Sequence, residues 1–152
     1  MSIRIIAIGR EHESYVKEGL ELFTKRLRPY AQVEWTLLPY AGGDEARSRR
    51  EESRAVLARI DDRDLVILLD ERGTEWDSPT LAAQLERWQG LGKRLVFIIG
   101  GAYGVSDELS ARADFSWCLS KLVFPHQLVR LLLLEQLYRS YSILAGTPYH
   151  HS

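Results

Sequence analysis

Residues 65–104 read LVILLDERGTEWDSPTLAAQLERWQGLGKRLVFIIGGAYG. Two continuous apolar runs, 65–69 and 95–99, stand on either side of a stretch with helical spacing. Apolar runs of strand length, without polar alternation, are what strands buried on both faces require. Ser78 and Pro79 suit an N-cap and the first helical position, predicting a helix that runs to Trp88. Gly90 and Gly92 end it. Residues 70–77 are polar, contain Gly73, and read as a loop. Strand, helix and second buried strand in this order make a parallel unit with its helix packed on the sheet.

The same alternation extends in both directions. Residues 3–8 read as a strand closed by Gly9. A helix is predicted over 12–28, with Tyr15, Val16, Leu20, Phe23 and Leu27 on one face and Pro29 as its stop. Residues 32–38 alternate and predict a second strand, and 39–43 a loop. Residues 44–60 predict a charged helix whose apolar residues gather late, at Ala55, Val56 and Ile60. Beyond residue 104, Ser106 caps a short helix, 115–119 form a last strand, Pro125 opens a long helix and Gly146 closes it. The pattern is α/β with a mostly parallel sheet. In such sheets ligands lie at the carboxyl ends of the strands, which singles out 70–77, 100–104 and 119–125.

Composition narrows the class. One domain over 1–152 suits the length, with 45% hydrophobic and 27% charged residues. The net charge of -1 gives no bulk attraction to nucleic acid, so any RNA binding must rest on local patches or on a preformed target. A lone cysteine, Cys118, excludes an intrachain disulfide and Cys-based zinc, and fits a reducing, cytoplasmic setting. The run 3–8 is too short for a signal peptide, and no run reaches the ~20 apolar residues of a membrane span. The four histidines form no metal set; His150 and His151 are adjacent, with no carboxylate or Cys at ligand spacing.

Several residues carry chemistry under one reading and structure under another. The glycines of 100–104 permit close backbone approach to a ligand, or simply a tight strand-to-helix turn. The spacing is not that of a dinucleotide fingerprint, and no Walker A sequence exists. Residues 119–125 continue a strand without turn composition; they suit an adenine pocket of apolar walls and main-chain bonds, or a sixth strand. His126, at the start of the last helix, is placed for a phosphate or base, or is a satisfied structural group. Glu135 and Arg139 have i, i+4 spacing, as a surface pair or as substrate-positioning groups. Leu131, Leu132, Leu133 and Leu134 cover every side of the helix, which implies burial against the sheet and against a second copy. Arg47, Arg49, Arg50 and Arg54 interleave with acids, giving a solvated face or a phosphate-contact patch.

Four segments together resemble a known family. They are Leu68-Leu69-Asp70-Glu71-Arg72-Gly73 with Trp76 and Ser78-Pro79; Phe97-Ile98-Ile99-Gly100-Gly101 with Gly104; Leu119-Ser120 through Phe124-Pro125-His126 to Leu128-Val129-Arg130; and Glu135-Gln136-Leu137-Tyr138-Arg139 with Pro148-Tyr149-His150. This pattern is similar to the ribosomal RNA large subunit methyltransferase H family, the pseudouridine N3-specific members of the SPOUT superfamily. The resemblance implies an α/β knot with a C-terminal trefoil, a threading that general topology rules would never propose. It implies a homodimer that binds S-adenosyl-L-methionine and methylates a pseudouridine in a 23S rRNA stem-loop on the assembled ribosome, with no metal and no membrane. Carried over residue by residue, it places cofactor contacts on Leu69, Gly100, Ser120, Lys121, Leu122, Val123, Phe124 and Pro125. Substrate or catalytic roles fall on His126, Arg130, Glu135, Arg139 and Tyr149.

One departure stands out. Members of the family often carry a basic residue after Pro-Tyr-His, where this chain has His151. Tyr103 also differs from what the family suggests, and suits base stacking or packing between subunits. A non-catalytic ribosome-binding factor with the same knot is the rival from another class. A doubly wound oxidoreductase is a rival enzyme, disfavoured by the missing glycine fingerprint after the first strand.

Overall fold

The structure, a computed structural model, describes residues 1–151. Five strands form one sheet: β1 (Ser2–Ile8), β2 (Gln32–Leu38), β3 (Leu65–Glu75), β4 (Leu95–Ile99) and β5 (Phe115–Cys118). Their order is β2-β1-β4-β3-β5, and every pairing is parallel. Between them run α1 (Ser14–Leu27), α2 (Glu45–Leu57), α3 (Ser78–Gly90) and α4 (Asp107–Arg112), with α5 (His126–Ala145) last.

Alternate residues of the three central strands feed two cores, as the period of two demands. Ile3, Ile5, Ile67, Leu95 and Phe97 pack with Leu20 of α1, Leu85 of α3 and Leu134 of α5. Ile6, Ile8, Val66, Leu68, Val96 and Ile98 pack with Val56 of α2 and Leu109 of α4. Helices therefore cover both faces, and the runs 65–69 and 95–99 are apolar throughout because neither face meets water.

Local chemistry adjusts several boundaries. Residues 70–77 are not a free loop: β3 continues to Glu75 through a register shift between Leu69 and Thr74, and re-pairs as Thr74↔Trp117 and Glu75↔Cys118. Gly73 makes this possible, because a Cβ there would lie 2.5 Å from the Ser116 carbonyl. The cap of α3 is Asp77, whose carboxylate accepts from Thr80 N–H at 2.8 Å. Ser78 instead donates its hydroxyl to Gln136 Oε1 of α5 at 2.7 Å. Residues 119–124 are irregular and form no sixth strand. Tyr15 shares the apolar spacing of α1 but is exposed, whereas Val16, Leu20 and Leu27 are buried. Of the four leucines, Leu133 and Leu134 enter the core and Leu131 packs against α1 at Gly19. Only Leu132, partly buried, is turned toward a surface cavity.

Candidate active site

The carboxyl ends of β3, β4 and β5 surround a cavity of about 640 Å³. Leu69 ends the regular part of β3, Gly100 follows β4, and Ser120, Leu122, Val123 and Phe124 close the third side. His126 and Val129, from the first turn of α5, complete the wall. Lys121 is exposed and Pro125 is the N-cap of α5; neither lines the cavity. At the mouth, Arg72 makes two hydrogen bonds to the Asp70 carboxylate, at 3.1 and 2.9 Å, which hold its pKa below the usual carboxylate range.

The irregular segment has main-chain groups to spare. Leu122 N–H donates to Ser120 Oγ at 3.0 Å, and Cys118 Sγ donates to the Ser120 carbonyl at 3.2 Å. Among the described residues, the N–H groups of Lys121, Val123 and Phe124 have no main-chain partner. Leu122 and Val123 are 71% and 89% exposed, an unusual state for two adjacent aliphatic residues. Apolar walls with unpaired main-chain donors are what an adenine requires of a pocket. On this observation the residues fit an adenosyl cofactor.

Leu119, Ser120 and Phe124 also wall a second cavity of about 630 Å³ on the other side of the segment. Trp76, Trp117, Leu132, Gln136, His150 and His151 face it. Gln136 belongs to a connected polar cluster on α5. Its Nε2 donates to Glu135 Oε2 at 2.8 Å. Glu135 Oε1 accepts from Arg139 Nη2 at 2.6 Å and from the Tyr149 hydroxyl at 2.9 Å. Arg139 lies over the Tyr149 ring, 4.6 Å from its centroid, and its Nη1 is 3.2 Å from His150 Nδ1. Glu135 and Arg139 are thus a partly buried pair, with side chains 17% and 25% exposed, which fastens the C-terminal tail to α5. Burial and the Glu135 carboxylate raise the Tyr149 pKa, so the phenol stays protonated as donor.

His126 and Arg130 form a separate cluster. Arg130 is 1% exposed and lines neither cavity. Its Nη1 donates to the Arg10 carbonyl at 2.9 Å and stands 3.2 Å from His12 Nδ1, while its Nε has no partner among the described residues. Burial, and then the Arg130 guanidinium, push the pKa values of His126 and His12 down. Both imidazoles are therefore held toward their neutral form.

The whole span also matches known proteins. A family described as "Predicted SPOUT methyltransferase" matches residues 1–150. The chain belongs to the SPOUT methyltransferase family. Ribosomal RNA large subunit methyltransferase H of Acetivibrio thermocellus is 41% identical over 158 residues, covering 99% of each chain. The protein of that name from Anaeromyxobacter sp. is 40% identical over 152 residues, and that from Pseudomonas fluorescens 38% over 154, each again with 99% of both chains covered. These relatives are all named methyltransferases, which leaves the non-catalytic factor and the oxidoreductase without support. Within this SPOUT chain the expected site residues split. Leu69, Gly100, Ser120, Leu122, Val123, Phe124 and His126 meet at the first cavity, Glu135, Arg139 and Tyr149 meet beside the tail, and Arg130 stays inside.

Sequence reasoning missed Gln136, Ser78, His12 and Glu52, all engaged around these groups or buried beside them. A signal existed for Glu52. Ser48, Glu52 and Val56 follow one another at i+4, so Glu52 shares a helix face with a buried valine.

Proposed function

We propose that the chain is an S-adenosyl-L-methionine-dependent methyltransferase acting on N3 of a pseudouridine in a 23S rRNA stem-loop. It works as a homodimer, in the cytoplasm, on the assembled ribosome. The supporting observation is the convergence of Leu69, Gly100, Ser120, Leu122, Val123 and Phe124 on one cavity, with the N–H groups of Val123 and Phe124 free of main-chain partners among the described residues. The names of full-length relatives support ribosomal RNA as substrate, and family membership supports a knotted passage of the C-terminal segment.

Bound in the first cavity, the cofactor supplies an electrophilic methyl group on a sulfonium. The chain's own residues do the rest. Leu122, Val123 and Phe124 offer the cofactor apolar walls. An imide nitrogen must lose its proton before it attacks, and the resulting anion must be stabilised. Arg139 is the fixed cation for that charge, aligned by Glu135 and Tyr149. Glu135 is already engaged as an orienting group, because both its oxygens accept hydrogen bonds. His126, on the cavity wall and held toward its neutral form, is the better acceptor for the proton.

The length of α5 supports the dimer. Thirteen residues separate His126 from Arg139 on one helix, about 20 Å along its axis at ~1.5 Å per residue. One chain cannot bring both to a single base, whereas a second copy can lend its tail cluster to the first copy's cavity. The near-neutral surface agrees, since the ribosome then supplies binding that a lone domain lacks. The test is methyl transfer from labelled S-adenosyl-L-methionine to ribosomes and to naked 23S rRNA, with nucleoside mass spectrometry. Ribosomes should be modified faster, on one pseudouridine. No methyl incorporation, or a product other than N3-methylpseudouridine, would overturn the reading.

A further inference from the structure

One buried carboxylate, near His126, has no part in the reading above. Glu52 of α2 is 5% exposed and has no cationic partner within salt-bridge distance among the described residues. Its Oε2 accepts from Ala41 N–H at 3.1 Å, in the loop after β2. Its Oε1 has no hydrogen-bond partner among the described residues, and lies where a Gly101 side chain would be, 2.4 Å from an ideal Cβ. Burying a carboxylate oxygen without a partner is costly, so packing alone is a weak reason to find one here.

The neighbours of Glu52 on α2 show what it serves. Arg49 Nε donates to the Tyr103 carbonyl at 2.9 Å, and Ser53 Oγ accepts from Ser106 N–H at 2.8 Å. Positions 49, 52 and 53 lie on one helix face by their i, i+3, i+4 spacing. Together they meet residues 101, 103 and 106 of the turn that lines the proposed cofactor cavity. Inside that turn Gly104 N–H donates to the Gly101 carbonyl at 3.2 Å as part of an isolated bridge between the two glycines, and the contacts from α2 add to this short pairing from outside. From the other side, Ser48 Oγ donates to the Gly42 carbonyl at 2.9 Å and steadies the loop that carries Ala41.

We propose that Glu52 is a positioning residue for the glycine turn: hydrogen-bonded to Ala41 and packed against Gly101, it holds 100–106 in the shape that the cofactor meets. The inference rests on the proposed function for the identity of that cofactor, but not for the clamp itself. A side chain of this length and one acceptor oxygen are enough for the role. Glu52→Ala should therefore loosen the turn and Glu52→Gln should restore it.

The test pairs two readouts on the full-length chain. Amide hydrogen exchange without cofactor should show residues 101–106 exchanging at least about tenfold faster in Glu52→Ala, while β4 amides stay protected. Calorimetric titration with S-adenosyl-L-methionine should show Kd raised about tenfold in Glu52→Ala and within about threefold of wild type in Glu52→Gln, the scale of one lost buried hydrogen bond to a charged group. Ser53→Ala is the second variant, should Glu52→Ala fold poorly, and should free the Ser106 amide. Unchanged exchange across 101–106 in the folded variants would overturn the clamp. So would a loss of protection spread equally over β4, which marks a general packing role. A wild-type chain that binds no S-adenosyl-L-methionine would instead overturn the proposed function, and the exchange result would still decide the clamp.

Discussion

Two arginines on one helix have opposite circumstances. Arg130 is sealed in the chain, with a carbonyl and a neutral imidazole as neighbours and no carboxylate in salt-bridge contact among the described residues. Arg139, nine residues later, is paired with Glu135, covered by Tyr149 and touched by His150. The first is fixed by the core of the chain. The second is held by groups that include a terminal tail, and so remains available to a partner or a substrate. A cation without a counter-charge is a costly structural element, whereas a partly buried cation with its counter-charge beside it costs less.

Removing each arginine should break the comparison in a different observable. Arg130→Ala should show the largest change in stability, about 3 kcal/mol, from the cavity and the abandoned Arg10 carbonyl. Denaturant unfolding checks this, and a loss below about 1 kcal/mol would place Arg130 with Arg139 after all. Arg139→Ala should cost no more than about 1 kcal/mol of stability, yet reduce methyl transfer to ribosomes by about a hundredfold or more. Equal activity in mutant and wild type would remove Arg139 from the proposed chemistry.

Tyr149→Phe sharpens the contrast further. It keeps the ring over Arg139 and deletes the donor to Glu135, so stability should fall by about 1 kcal/mol. Its activity should stay at least about tenfold above that of Arg139→Ala, because the cation survives. The smallest effect concerns pH. The folded pKa values of His126 and His12 lie below the ordinary imidazole value. Between the two values the unfolded chain binds protons that the folded chain refuses, so stability is full above about pH 6.5 and declines as pH falls through the folded values. Unfolding curves at neutral and mildly acidic pH should show this decline, and His126→Gln should lessen it. A steeper decline in that variant would reverse the sign assigned to His126.

Much of the fold was legible because burial on both faces leaves no choice of composition. Leu65 to Leu69 and Leu95 to Ile99 had to be central strands, and Gly146, with φ of 74°, had to end α5. The extension of β3 was not legible. Asp70 to Glu75 looks like a polar loop, and only β5 lying alongside turns it into a bulged strand. Asp77 and Ser78 are both good caps, and the choice fell to Asp77 because Gln136 engages the Ser78 hydroxyl. For the four leucines, periodicity alone could not tell a partner face from α1. Leu131 found α1.

Strand and helix alternation, the ligand-bearing ends of the sheet and, through the motif segments, the family are all legible along the chain. Hydrophobic period and turn chemistry act over a few residues, so they survive reading in one dimension. Only the tertiary structure decided which polar groups meet. His126, Arg130, Glu135 and Arg139 look alike as charges along one helix. Their roles separated once the loop after β1 closed over Arg130, the tail returned to Glu135, and α2 placed Glu52 beneath Gly101. Desolvation and hydrogen bonding depend on neighbours distant in the chain, and spacing along the chain carries no record of them.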